Sequence, residues 1–229
     1  MPGDLENAAK QAGELWDKLN LENKEPEVIA KAVIKEWSDS DHASEASIYC
    51  FTKMLQLVLG PSGKKAQFQN FVHTFGPIEK PNSDENVILD RLEKEFFDNS
   101  KKNIHSWFHG NSDQDSKKIV KDTKTHGSYL IRMGEDAGYL TLYRLSKKDD
   151  KMLLATSRLK NMGDGWYCQE KKKTFKSIAA YQEARGPSQG EQARLITVVQ
   201  RKHATVDAVG TAKPVNKYTA FVTPDNKKQ

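Results

Sequence analysis

Two cysteines, Cys50 and Cys168, are the only thiols in 229 residues, and they lie far apart in sequence. This excludes a disulfide framework and gives no metal-ligand spacing, so reduced thiols in a cytosolic compartment are the simplest account. No apolar run approaches the roughly 18 residues that cross a bilayer, and the opening "MPGDLENAAK" has no basic segment followed by an apolar core. The expectation is a soluble, unprocessed cytoplasmic chain. Also missing are a glycine-rich phosphate loop, a His-Glu-x-x-His helix and a nucleophile elbow. The acidic stretch "DSDHASEASIYC" is not a calcium loop, because Ser44 stands where glycine is needed and Cys50 where a bidentate glutamate is needed. These absences point away from an enzyme and from a metal or organic cofactor.

What is present is globular in style, with 37% hydrophobic and 29% charged residues and aromatics throughout. Charge is uneven. The first hundred residues carry 11 lysines and arginines against 18 acids, and the remainder carries 25 against 13. An anionic partner is therefore expected on the second half.

Up to about Ser100 the periodicity is helical. Apolar residues recur three and four apart over Leu5 to Leu19, Glu25 to Trp37, Ser44 to Leu59, Lys65 to Phe75 and Glu85 to Phe97. Asp41, Ser44 and the pair Ser83-Asp84 are candidate caps, and "LGPSG" and "FGPIEKPNS" are candidate stops. A bundle of four or five helices is expected over 1–100, with Trp37, Phe51, Phe68, Phe71, Phe75 and Phe97 as core. From Ile104 the pattern changes. "HSWFHG" reads as a short strand or turn and "DQDSKKIVKDTKT" as a helix. "GSYLIRMG", "GYLTLYRLSK", "KMLLATSRL" and "GWYCQE" read as strands, "QEKKKTF" as a lysine loop and "TFKSIAAYQEA" as a second helix. The fold class expected is α+β: a helical bundle, then over 101–190 an antiparallel sheet flanked by two helices. Residues 191–229 read as an extension or tail, in which "ARLITVVQRKH" is either a strand or a helix end and Tyr218 a tail tyrosine.

Arg132 raises the functional question. In the strand "SYLIR" side chains alternate, so Arg132 shares a face with apolar Leu130. Burying an unpaired guanidinium costs several kcal/mol, which leaves a sheet edge, a partner carboxylate such as Glu135 or Asp136, or a bound anion.

Four motifs in order supply an answer. "WFHG", "GSYLIR", "GDGWYC" and "KTFKSIAAY" make the stretch from about Trp107 to Ala184 resemble a Src homology 2 domain, the phosphotyrosine-reading module. The resemblance implies that Arg132 grips two phosphate oxygens with its planar fork. It implies that the loop "MGEDAG", with Gly134, Glu135 and Asp136, closes backbone amides over the phosphate. Thr141 would then face the ligand, and Arg158 would bracket the phenol ring from the next strand. Two positions depart from the family. Thr156 stands where it has histidine, and its basic first-helix position falls on Asp113 or Gln114, with Lys117 or Lys118 as substitutes in a shifted register.

The helical half resembles, without a specific motif, the linker ahead of this domain in signal transducers and activators of transcription, and helical modules ahead of it in some ubiquitin ligases. The function implied is a non-catalytic adaptor for tyrosine-phosphorylated proteins, with selectivity from loops around Lys171 and Gly186 to Gln192. The lysine-rich, asparagine-rich style would suit a bacterial effector delivered to a host cytosol. The alternative is a nucleic-acid-binding protein using the basic half, although the strands lack the aromatic pair of an RNA-recognition sheet.

Overall fold

The computed structural model of the chain describes residues 2–37, 45–77, 88–111, 114–185 and 197–198. Five helices open it: α1 (Pro2–Lys18), α2 (Pro26–Trp37), α3 (Glu45–Leu59), α4 (Lys65–Phe75) and α5 (Ile88–Phe96). Their bounds follow the 3.6-residue periodicity closely, because each has one apolar face to bury. The helix α4 ends where Gly76 donates its amide to Val72 O at 2.8 Å, the stop expected from "FGP". The caps expected at Asp41, Ser44, Ser83 and Asp84 lie outside the described residues, as does the side chain of Trp37. None of the described helices is long and apolar enough to cross a membrane.

The second half is α+β. After α6 (Gln114–Asp122) come β1 (Ser128–Met133), β2 (Tyr139–Lys148), β3 (Lys151–Asn161), β4 (Trp166–Cys168) and β5 (Lys173–Phe175), then α7 (Ile178–Glu183) and β6 (Thr197–Val198). The first five strands pair antiparallel in chain order, and β6 adds to β1 in parallel, giving the order β5-β4-β3-β2-β1-β6. Of the two readings of "ARLITVVQRKH", the strand is therefore the one found, at Thr197–Val198. The rest of the tail, Tyr218 included, lies outside the described residues.

One expectation is corrected here. Lys173–Phe175 is not loop or helix but strand β5, with Trp166 opposite Phe175 and Cys168 opposite Lys173. Thr174 and Phe175 favour the pleated conformation, and Phe175 packs edge-on to Tyr181 at 5.2 Å. The helix begins only after Ser177, whose hydroxyl accepts from Ala180 N at 3.1 Å as an N-cap.

The larger of two apolar clusters among the described residues runs through both halves, from Trp16, Phe51 and Phe68 in the bundle to Ile131, Leu142, Leu159 and Trp166 in the sheet. At its centre Phe96 meets Phe108 at 5.0 Å and Trp107 at 5.4 Å, and Phe75 meets Phe108 at 6.1 Å. Each such side chain contributes about 1.5–3 kcal/mol on burial, so the chain boundary near residue 100 is crossed by continuous packing. Polar groups tie the same seam. Arg91 Nη1 donates to Asn161 Oδ1 at 2.8 Å and to Phe75 O at 3.3 Å, and Asn161 Nδ2 donates to Thr74 O at 2.8 Å. Glu95 accepts from Trp166 Nε1 at 2.8 Å and Ile178 N at 3.0 Å, and its burial pushes its carboxyl above the usual range.

Candidate anion-binding site

The sheet has two faces with different cover. Tyr129, Ile131 and Met133 of β1 enter the shared core, whereas Leu130 packs with Ile119 and Val120 of α6 and with Tyr143 and Leu145 of β2. Alternation then sends Arg132 to the α6 face. Register extends that face across three strands. Arg132 pairs with Thr141, which pairs with Arg158, and one step along, Leu130 pairs with Tyr143, which pairs with Thr156. Four candidate residues on three strands thus share one surface, because directly opposed residues project to the same side.

Arg132 is 1% exposed. Its Nη2 lies 3.1 Å from Glu135 Oε1 and 3.4 Å from the Tyr143 hydroxyl, and its guanidinium stands 5.7 Å from the Tyr143 ring centre. Glu135 comes from the loop between β1 and β2 and is itself 62% exposed. The partner-carboxylate option raised by the sequence is therefore realised, by an acceptor that sits at the surface. Asp136 of the same loop accepts from Arg158 Nη1 at 2.6 Å, a pair exposed on both sides. An ion pair exposed on both sides, as Arg158–Asp136 is, contributes about 0–1 kcal/mol.

Thr141 is buried in the row beside Arg132, and Thr156 is exposed further along β3. Of the two lysines considered, Lys117 places Nζ 5.6 Å from the Tyr143 ring centre, on the site side of α6. Lys118, about 100° further round the helix, is exposed. Asp113 and the side chain of Gln114 lie outside the described residues, as does the loop from Gly186 to Gln192.

The loop from Gly134 to Gly138 is closed tightly. Gly134 donates its amide to Tyr139 O at 2.7 Å, so this amide serves the turn and does not face a ligand. A Cβ at Gly134 would stand 2.9 Å from Tyr139 O, and Gly138 has φ +81°, a conformation in which side chains are strained. The bundle backs the loop at both ends. Asn70 of α4 donates to Gly134 O at 3.5 Å, and a Cβ on Gly138 would sit 3.1 Å from the His73 ring of α4. His73 is half-buried, and burial with help from Lys160 holds its pKa below the ordinary value, opposed by Glu6.

Three contributors were missed in the sequence. Tyr143 carried a usable signal, lying two residues beyond Thr141 on the same strand and hence on the same face. Asn70 and His73 carried none, because their place depends on how the bundle docks. Among the described residues no group of three or more His, Cys, Asp or Glu could hold a metal ion. What the arrangement can do is hold an anion: a buried planar cation, an aromatic wall, a hydroxyl, two further cations and a tight loop converge. No protein-family model matches the chain, and no curated protein matches it in sequence.

Proposed function

We propose that the chain is a phosphotyrosine-dependent peptide-binding protein without catalytic activity, working as an adaptor or effector in a cytosol that contains tyrosine-phosphorylated proteins. The observation that carries this reading is Arg132: 1% exposed, in one cross-strand row with Thr141 and Arg158, and closed over by an exposed glutamate on a glycine-bounded loop. The order of α6, antiparallel strands and α7 resembles that of a Src homology 2 domain, and so do "WFHG" and "GSYLIR" in their places. Phosphate enters by displacing Glu135 and takes the arginine fork end-on. Arg158, released from Asp136, then lies beside the phenol ring, a contact worth about 0.5–2 kcal/mol that phosphoserine cannot make. Lys117, on α6, supplies the first-helix positive charge, and Thr141 a hydroxyl donor.

The test is calorimetric titration of the full chain with a degenerate phosphotyrosine peptide pool and its unphosphorylated twin. Two charge-assisted hydrogen bonds at about 1.5–3 kcal/mol each set the scale. Arg132→Leu is expected to weaken binding by about a hundredfold or more, and the unphosphorylated pool to give no heat. Equal binding of both pools, or an Arg132→Leu protein that binds as wild type, would make the arginine structural. Oligonucleotides are then the next ligand.

A further inference from the structure

The opposite face of the sheet holds a second buried cationic cluster that the phosphotyrosine reading does not use. Arg185 follows α7, is 1% exposed and lies 5.3 Å from the Tyr181 ring centre. Its Nη2 donates to Glu170 Oε2 at 2.6 Å and to Ser157 Oγ at 3.5 Å, while its buried Nε and Nη1 have no hydrogen-bond partner among the described residues. Arg144 of β2, also buried, places Nη2 3.3 Å from the other oxygen of the same carboxylate. Ser157 of β3 donates its hydroxyl to that carboxylate as well. Arg144 and Ser157 belong to the rows of Tyr129 and Ile131, which face away from Arg132.

Two guanidiniums therefore share one carboxylate under the sheet, and that carboxylate is 38% exposed on its solvent side. Burial resists ionisation of Glu170, yet Ser157 and the two arginines outweigh it and hold its pKa below the usual value. Arg144, by contrast, is lowered by burial and by Arg185 beside it. The two buried nitrogens of Arg185 that lack a partner among the described residues are costly in such a place, and a native structure that keeps them calls for a reason.

We propose that Arg185 and Arg144 form a second oxyanion site, independent of Arg132, for which Glu170 is the displaceable lid. An incoming carboxylate or phosphate that displaces Glu170 can take Nη2 of Arg185 together with Nη1 or Nε, a two-pronged grip that Glu170, bridging two arginines, does not make. Ser157 turns its hydroxyl to the new oxygens, and Arg144 supplies the second positive charge. Glu170 lies in the turn between β4 and β5, among exposed residues, and swings outward into water.

The experiment uses the full chain carrying Arg132→Leu, so that the first site is silent. Inorganic phosphate and acetate are titrated separately at constant ionic strength with chloride, following the side-chain NεH signal of Arg185 and the amide of Ser157 by nuclear magnetic resonance. Saturable shifts at both groups are expected, and the tighter of the two anions names the class of ligand. Adding Glu170→Gln should tighten that anion several-fold, lower the melting temperature in anion-free buffer and let the anion restore it. Adding Arg185→Met should weaken the anion by at least about tenfold. Absence of a saturable shift overturns the proposal, as does unchanged affinity in Arg185→Met. If that variant does not fold, Glu170→Gln decides: loss of stability that neither anion restores would make the cluster a structural lock.

Discussion

Arg91 and Arg132 are both arginines in the protein interior, 7% and 1% exposed, and they are held in opposite ways. Arg91, at the seam between bundle and sheet, donates to Asn161, to Phe75 O and to Gly163 O, and lies 3.6 Å from the largely buried Glu95. Backbone carbonyls cannot move away, and Asn161 is itself fixed to Thr74 O. Among the partners of Arg132 are the Tyr143 hydroxyl and Glu135, a carboxylate that is itself exposed at the surface. Burial of an arginine therefore says little by itself. The exposure of its acceptors is what differs between the two, Glu95 being largely buried and Glu135 exposed.

The sharpest way to break this comparison is to remove each arginine and measure stability by chemical denaturation. Arg91→Met should cost about 3–5 kcal/mol, since Asn161 and Glu95 are left buried without their cation. Arg132→Leu should cost less, within about 1 kcal/mol of wild type, because the carboxylate it leaves, Glu135, is exposed and returns to water. Equal losses would erase the distinction. Next in size is Gly138→Ala, expected to cost about 1–2 kcal/mol because the residue must hold a left-handed φ with its new methyl against His73, and to weaken phosphopeptide binding with it. Smaller still is Glu135→Gln. Removing the resident carboxylate's charge should raise phosphopeptide affinity about two- to fivefold, whereas a drop would make Glu135 part of the grip. The smallest effect concerns pH. The folded pKa of His73 lies below its ordinary value, so the unfolded chain binds the proton more readily. Its contribution is complete above about pH 6.5 and is lost as pH falls through that region. The fall in denaturation midpoint between about pH 7.5 and pH 5.5 should be shallower in His73→Asn.

The helices of the first half were legible because each buries one face, and periodicity reports that directly; Lys65–Phe75 carries the same bounds in sequence and structure. Alternation in "SYLIR" correctly set Arg132 on the side of Leu130 and apart from Ile131. Pairing partners were less legible. That Thr141 and Arg158 share a row with Arg132 follows from turn lengths and register, which single strands do not encode. β5 was hidden because three residues are too few to show a period, and lysines around it resemble a loop. The docking of α4 on the loop was invisible, since Asn70 and His73 look like any polar residues on a half-buried helix.

That docking has a mechanical meaning for the molecule. Asn70 and His73 lie against the loop at its first and last glycines, so a displacement of α4 alters what both ends of the loop rest on. For the ligand proposed at the loop, any coupling to the packing of the bundle would be reciprocal by linkage. A partner that grips the helices and shifts α4 by 1.4 kcal/mol of preference changes affinity at the loop by about tenfold, and a loop ligand changes that partner's affinity by the same factor. On the proposed function, the helical half would be the handle by which the anion site is read or adjusted.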